Sequence, residues 1–315
     1  MDPSDLMHIY KDIFAKKLVL ITGKGGIGKS LIAAALGQFL AESGKNVLIV
    51  QNASLDQISP LFGLAPGYDD AVRVQPGLDV LNIDAIANFR DYMVEHLGQK
   101  RLYKTVFSNR TVKGLINAMP GWADVMLLGR LLFETELRPR HDYVIFDGPA
   151  SGHFLNLMTT PDSVLSMSFG GPLAKETQRV KDFLSDRAKC TMLYVGVPEE
   201  LVVSECIDFL PRLLKVSPVS VGGVIMNRTP PPIRLGQNPD LQSRPAETYA
   251  VRHSDAAEEA LAMLAADLRS EKGSLDSVPM WALADFGFIK EPLPAGFGRQ
   301  FLTPLRRIDR AGASS

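Results

Sequence analysis

Cysteine is almost missing from this 315-residue sequence: only Cys190 and Cys206 occur. Two thiols exclude a disulfide framework and a four-thiolate zinc site built from one chain, which points to a reducing compartment. An excess of either charge is missing as well. The 34 Lys and Arg residues against 35 Asp and Glu leave a formal net charge of -1. No global field would hold a polyanion, so nucleic acid is not an expected partner. Long apolar runs are also lacking, and nothing approaches the roughly 18 residues that a membrane helix needs. The stretch from Met1 to Lys17 mixes Asp2, Asp5, Lys11, Asp12 and Lys16 among its apolar residues, unlike the uninterrupted centre of a secretory signal. A soluble, cytoplasmic chain is the expectation.

What is present is enough apolar sequence for a sizeable core, in one large α/β domain or two modest ones. Short β-branched apolar runs recur at Leu18 to Thr22, Asn46 to Val50, Asp79 to Ile83, Tyr143 to Phe146, Thr191 to Val195, Gly222 to Met226 and Val278 to Leu283. Helical patterns separate them, among them Ser30 to Ser43, Glu199 to Leu214 and Glu247 to Glu271. Such alternation predicts a mostly parallel, doubly wound sheet covered on both faces. From Tyr68 to Pro139 the alternation gives way to helical candidates, including Trp122 to Glu136, and a helical subdomain is expected there, inserted at 68–139 into a single domain spanning 1–315. Thr229 to Pro245 is proline-rich and reads as a loop. The tail from Arg306 to Ser315 is expected to fray.

After the first run stands Gly23-Lys24-Gly25-Gly26-Ile27-Gly28-Lys29-Ser30, opening directly into a helix. Glycines let backbone N–H groups turn inward around phosphate oxygens, Lys29 supplies charge to the β/γ-phosphates, and the Ser30 hydroxyl can ligate Mg²⁺. Nucleotide-contacting residues are therefore expected from Gly23 through Ser30 and the following Leu31. The bland alternative is a tight strand-to-helix turn. Lys24 is the unusual member, because it would repel Lys29 unless an anion sat between them; its alternative is a solvated loop lysine. Farther on, Asp147 closes a strand and leads into Gly148-Pro149-Ala150-Ser151-Gly152-His153. A carboxylate at the C-terminal edge of a parallel sheet is placed to accept from a magnesium-bound water, though Asp also caps helices.

The phosphate loop, with a lysine before its paired glycines, resembles the deviant loop of the ParA, MinD and arsenite-pump ATPases. The segment from Asp147 to His153 resembles the switch of the arsenite-pump and guided-entry (tail-anchored protein targeting) ATPases, the ArsA-type family, with its Asp, Gly and His in register. Pro120-Gly121 and Met226-Asn227-Arg228 extend the likeness. The resemblance implies a P-loop fold with an inserted helical subdomain, ATP and Mg²⁺ as ligands, and catalytic roles for Lys24, Lys29 and Asp147. Lys24 would act across a dimer interface, and Ser30 and Asp147 would hold the metal. Asn227 would read the adenine edge, unless it is a turn residue, and Pro198 would wall the base. A homodimer, or a heterodimer with a paralogous ATPase, is implied, together with an unidentified protein or membrane client.

Two features depart from that pattern. The family's water-positioning Asp after its second strand falls on Ala53, with Asp56 three residues later as the one nearby carboxylate that could swing in. Hydrolysis is thus expected to be slow, and a non-hydrolysing, nucleotide-sensing scaffold is the rival reading. Cys190 and Cys206 form neither a Cys-x-x-Cys pair nor a three-thiol arsenite site. A small-molecule kinase would need an acceptor motif, and none is evident.

Overall fold

The computed structural model describes residues 2–67, 70–83, 121–137, 139–167, 172–217, 219–233, 245–270, 275, 277–287 and 292–308. Nine strands among them form one sheet: β1 (Leu18–Gly23), β2 (Val47–Gln51), β3 (Val72–Gln75), β4 (Leu78–Asn82), β5 (Tyr143–Ala150), β6 (Cys190–Gly196), β7 (Ser220–Thr229), β8 (Met280–Ala284) and β9 (Pro304–Arg307), in the order β3-β4-β2-β5-β1-β6-β7-β8-β9. The seven inner strands run parallel. β3 and β9 close the two edges antiparallel. All seven runs expected from the sequence are inner strands. The fold is the expected α/β P-loop architecture.

Alternation along the strands sorts side chains to two cores. Val19, Ile21, Val47 and Ile49 face one, with α1 (Pro3–Ile9), α2 (Lys11–Phe14), α3 (Lys29–Glu42) and α9 (Phe297–Leu302). Leu18, Leu20, Leu48 and Val50 face the other, with α4 (Trp122–Leu132), α5 (Ser151–Met167), α6 (Pro172–Ser185), α7 (Glu200–Val216) and α8 (Pro245–Ser270). The helix α3 is buried on every side from Ile32 to Ala41, as an apolar, alanine-rich helix must be. Its outer side is closed by α9. A Cβ on Gly298 would collide with the Ala35 carbonyl, so only glycine admits this approach. Gln38 accepts from Gly298 N at 2.7 Å and donates to Pro294 O at 3.1 Å, and Glu42 accepts from Gly296 N at 2.7 Å.

The boundaries differ from expectation in three places. Residues 72–75 form a strand that was not expected, beside the expected one at 78–82. The α4 helix packs its Leu127, Leu128, Leu131 and Leu132 into the main core and ends in a π-helical turn, Phe133–Leu137. Residues 84–120, most of the expected subdomain and including Pro120, lie outside the described residues, as do 234–244 of the expected loop. Arg306 and Arg307 are not frayed but pair with Ala282 and Trp281; residues 309–315 lie outside. No helix among the described residues is long and apolar enough to cross a membrane.

Candidate nucleotide site

β1 ends at Gly23, whose φ of 145° no L side chain adopts readily and where a Cβ would collide with the Val195 carbonyl. Gly26 (φ 79°) and Gly28 (φ 96°) complete the turn, and Gly28 precedes the first residue of α3 without any side-chain cap. The first N–H groups of α3 are therefore left for a ligand. At Gly25 and Gly26 the space a Cβ would take is empty, as expected of a loop that wraps around a group of its own size. Lys29 folds its ammonium back across the loop, donating to Lys24 O at 2.9 Å and Gly23 O at 3.3 Å. Burial pulls its pKa below the ordinary lysine value, opposed by the negative charge of Asp147 and Glu205.

Asp147 stands between Gln51 of β2 and Ile21 of β1 in the strand register. The Ser30 hydroxyl donates to its Oδ2 at 2.6 Å. Its Oδ1 is buried and has no hydrogen-bond partner among the described residues. Burial pushes this carboxyl above the usual range, against the pull of Ser30 and Lys29. A hydroxyl and an acidic oxygen side by side, with a second carboxylate oxygen orphaned, fit a hard divalent cation such as Mg²⁺. A cavity of about 560 Å³ opens above them, lined on this side by Gly26, Gly28, Lys29, Ser30, Leu31 and Asp147, and farther out by Ala53, Asp124, His153 and Arg228. Of the expected loop residues, Gly23, Lys24, Gly25 and Ile27 are not part of this lining.

Lys24, Asn227 and Pro198 stand outside the cavity lining. Lys24 is paired within its own protomer, Nζ to Glu205 Oε2 at 3.9 Å, while the Ser151 hydroxyl at the start of α5 donates to Oε1 of the same Glu205. Glu205, on α7, carried no sequence signal. Asn227 is buried and donates from Nδ2 to Ile27 O at 2.8 Å, so this N–H braces the phosphate loop instead of being free for a base edge. Neither Asn227 nor the buried Pro198 lines the cavity. Arg228 does. It is the one non-glycine with positive φ (51°) among the described residues, a conformation that costs about 1–3 kcal/mol and tends to mark functional sites.

Asp56 does not swing toward the cavity. It is 1% exposed. Its carboxylate accepts from the Gln51 side chain, from Ile58 N (2.9 Å) and Ser59 N (3.0 Å), and from Gly67 N (2.9 Å). Burial alone would raise its pKa, but the Gly67, Ser59 and Ile58 backbone donors outweigh that and hold it below the usual value. Ala53 lines the cavity, its N–H and C=O clasped by the Asn82 amide at 3.1 and 3.0 Å. Both cysteines are free and buried in the core, and burial pushes both thiols up.

Residues 16–169, from just before β1 through α5, match the family described as anion-transporting ATPase, of the ArsA type. That segment, just under half of the chain, is of the ArsA type. The match holds the phosphate loop, Ala53, Asp147 and His153; Glu205, Asn227 and Arg228 lie beyond it. ATPase BagA of Mycobacterium tuberculosis (strain ATCC 25618 / H37Rv) is 29% identical over 226 residues, 68% of this chain and 66% of that protein. The chain thus spans just under two thirds of the mycobacterial relative it matches. The arsenical pump-driving ATPase of Escherichia coli is 29% identical over 160 residues, 49% of this chain and 27% of the relative. An ATPase ASNA1 homolog of Entamoeba dispar is 24% identical over 268 residues, 73% of this chain and 81% of the relative.

Proposed function

We propose that this chain is an ATP-dependent switch of the reducing cytoplasm that binds Mg·ATP, hydrolyses it slowly, and changes its grip on a protein or membrane client. The observation that carries the reading is the Ser30–Asp147 pair at 2.6 Å beneath a glycine cradle, with Asp147 Oδ1 orphaned. Backbone N–H groups of the loop and of the first turn of α3 would hold the phosphates, and Lys29 would exchange its bonds to the Gly23 and Lys24 carbonyls for phosphate oxygens. Ser30 and Asp147 would hold the metal, which when bound shields phosphate charge and carries ordered water. Lys24 would leave Glu205 for the nucleotide of a second subunit, making the nucleotide sandwich the dimer contact.

The clasp on Ala53 and the full commitment of Asp56 support slow turnover, and they favour a second reading in which the chain is a nucleotide-sensing subunit beside a more complete paralogue. Arsenite itself is not the client we infer, since two buried thiols cannot assemble a three-thiol site. Calorimetry and light scattering on wild type, Lys29→Ala and Lys24→Ala test the proposal together. Lys29→Ala should abolish ATP binding in a folded protein. Lys24→Ala should bind ADP as wild type does yet lose dimerisation with a non-hydrolysable ATP analogue. Undiminished ATP affinity in Lys29→Ala would overturn the site. Equal dimer fractions for Lys24→Ala and wild type would overturn the cross-subunit role, and phosphate release indistinguishable from buffer in every partner state would leave the sensing reading.

A further inference from the structure

We propose that Arg228 is a nucleotide-binding residue that lays its guanidinium against the face of the base. The inference rests on the cavity being the ATP site and assigns its base side. Three observations meet at this residue. Its backbone is held at φ 51°, which arginine adopts rarely. The pairing of β7 with β8 slips between Met226 and Thr229, so an irregularity in the strand re-aims the side chain at this point, as β-bulges beside active sites do. The exposed Arg228 side chain lines the same cavity as Lys29 and Ser30 and has no carboxylate partner among the described residues.

Position in the sheet selects the part of the ligand. The phosphate cradle closes β1, and β7 lies two strands away in the order β1-β6-β7, about 10 Å at ordinary strand spacing. That offset suits the distance from a nucleotide's phosphates to its base. Phosphate charge is already met by Lys29 and the loop, whereas a planar cation two strands out is matched to a π-face. The preceding Asn227 turns inward to the loop at Ile27 O, while Arg228, at the strand irregularity, lines the cavity. The base would therefore be gripped on its face by Arg228, in a manner that tolerates any purine.

Titration calorimetry of the full chain with ATP, ADP and inorganic tripolyphosphate, on wild type, Arg228→Asn and Arg228→Lys, tests this. Asparagine tolerates the left-handed backbone, so Arg228→Asn should melt no lower than wild type while binding ATP and ADP about 10-fold more weakly. Tripolyphosphate affinity should not change, and Arg228→Lys should recover only part of the loss. A parallel loss for tripolyphosphate would make Arg228 a phosphate contact and overturn the base assignment. Unchanged ATP affinity in a folded Arg228→Asn protein would overturn it too. Failure of the wild type to bind ATP at all would instead overturn the site reading on which the inference stands.

Discussion

Two carboxylates, Asp56 buried in the loop after β2 and Asp147 half-buried in the neighbouring strand β5, have surroundings of opposite design. Around Asp56, four donors converge and the loop after β2 is tied into a fixed shape. Around Asp147, one hydroxyl donates and one oxygen is left bare. Exposure alone, 1% for Asp56 and partial for Asp147, does not tell a structural acid from a ligand-ready one. Hydrogen-bond satisfaction does: the first acid is held below its usual pKa, and the second is pushed above it. A site that must receive a cation keeps an acceptor unfilled at the cost of stability, while a loop that must only keep its shape fills every acceptor.

The contrast is broken most forcefully by exchanging the roles under turnover. Asp147→Asn should lower Mg²⁺-dependent phosphate release by about 100-fold or more, whereas Asp56→Asn should lower it by less than about 10-fold, measured at saturating ATP. Equal losses would mean that the two acids are one functional unit. A smaller change is expected from Ala53→Asp, which puts a carboxylate on a backbone already clasped by Asn82 and facing the cavity. Phosphate release should rise by about 10-fold without tighter ATP binding, because the new group acts on water in the transition state. Brisk wild-type turnover that Asp56→Ala stops and Ala53→Asp leaves unaltered would show that Asp56 reaches the water despite its ties.

Stability supplies the finest test. Asp56→Asn should lose about 2–3 kcal/mol in urea unfolding near neutral pH, and Asp147→Asn should lose nothing or gain. The pH profiles should slope oppositely. Asp56 has a lowered folded pKa, so its contribution is present above the unfolded value of about 3.9 and is lost as pH falls through the folded value. Asp147 has a raised folded pKa; its contribution is full below about 3.9 and is lost as pH rises through the folded value. Asp56→Asn should flatten the acid limb, and Asp147→Asn should remove a decline on the other side of it. Matching slopes in the two variants would refute the contrast.

The inner sheet was legible because strands buried on both faces are written as unbroken β-branched runs. The edges were not: β3 is half exposed and carries Arg73, β9 opens with Pro304, and both are four residues long. Such strands carry the short, charged and proline-marked character by which edges avoid further pairing, which is also what hides them from a pattern search. The glycine-rich turn from strand to helix was legible, since Gly23, Gly26 and Gly28 stand where the backbone has positive φ. Glu205 and Arg228 were invisible for complementary reasons. Glu205 acts through contacts with Lys24 and Ser151, far from it in sequence, and Arg228 occupies a backbone conformation that its residue type disfavours. Asp56 was visible as a carboxylate, but only the folded loop reveals that its acceptors are full.

The seal that α9 places over α3 bears on how the protein is made. The helix that carries Lys29 and Ser30 is translated some 260 positions before the residues that close its outer side, Pro294 to Gly298. Until they emerge, the alanine face around Ala35 is bare and the helix opening the phosphate loop lacks its last layer. A nascent chain stalled before residue 294 would therefore present an apolar groove over α3 in place of the closed layer.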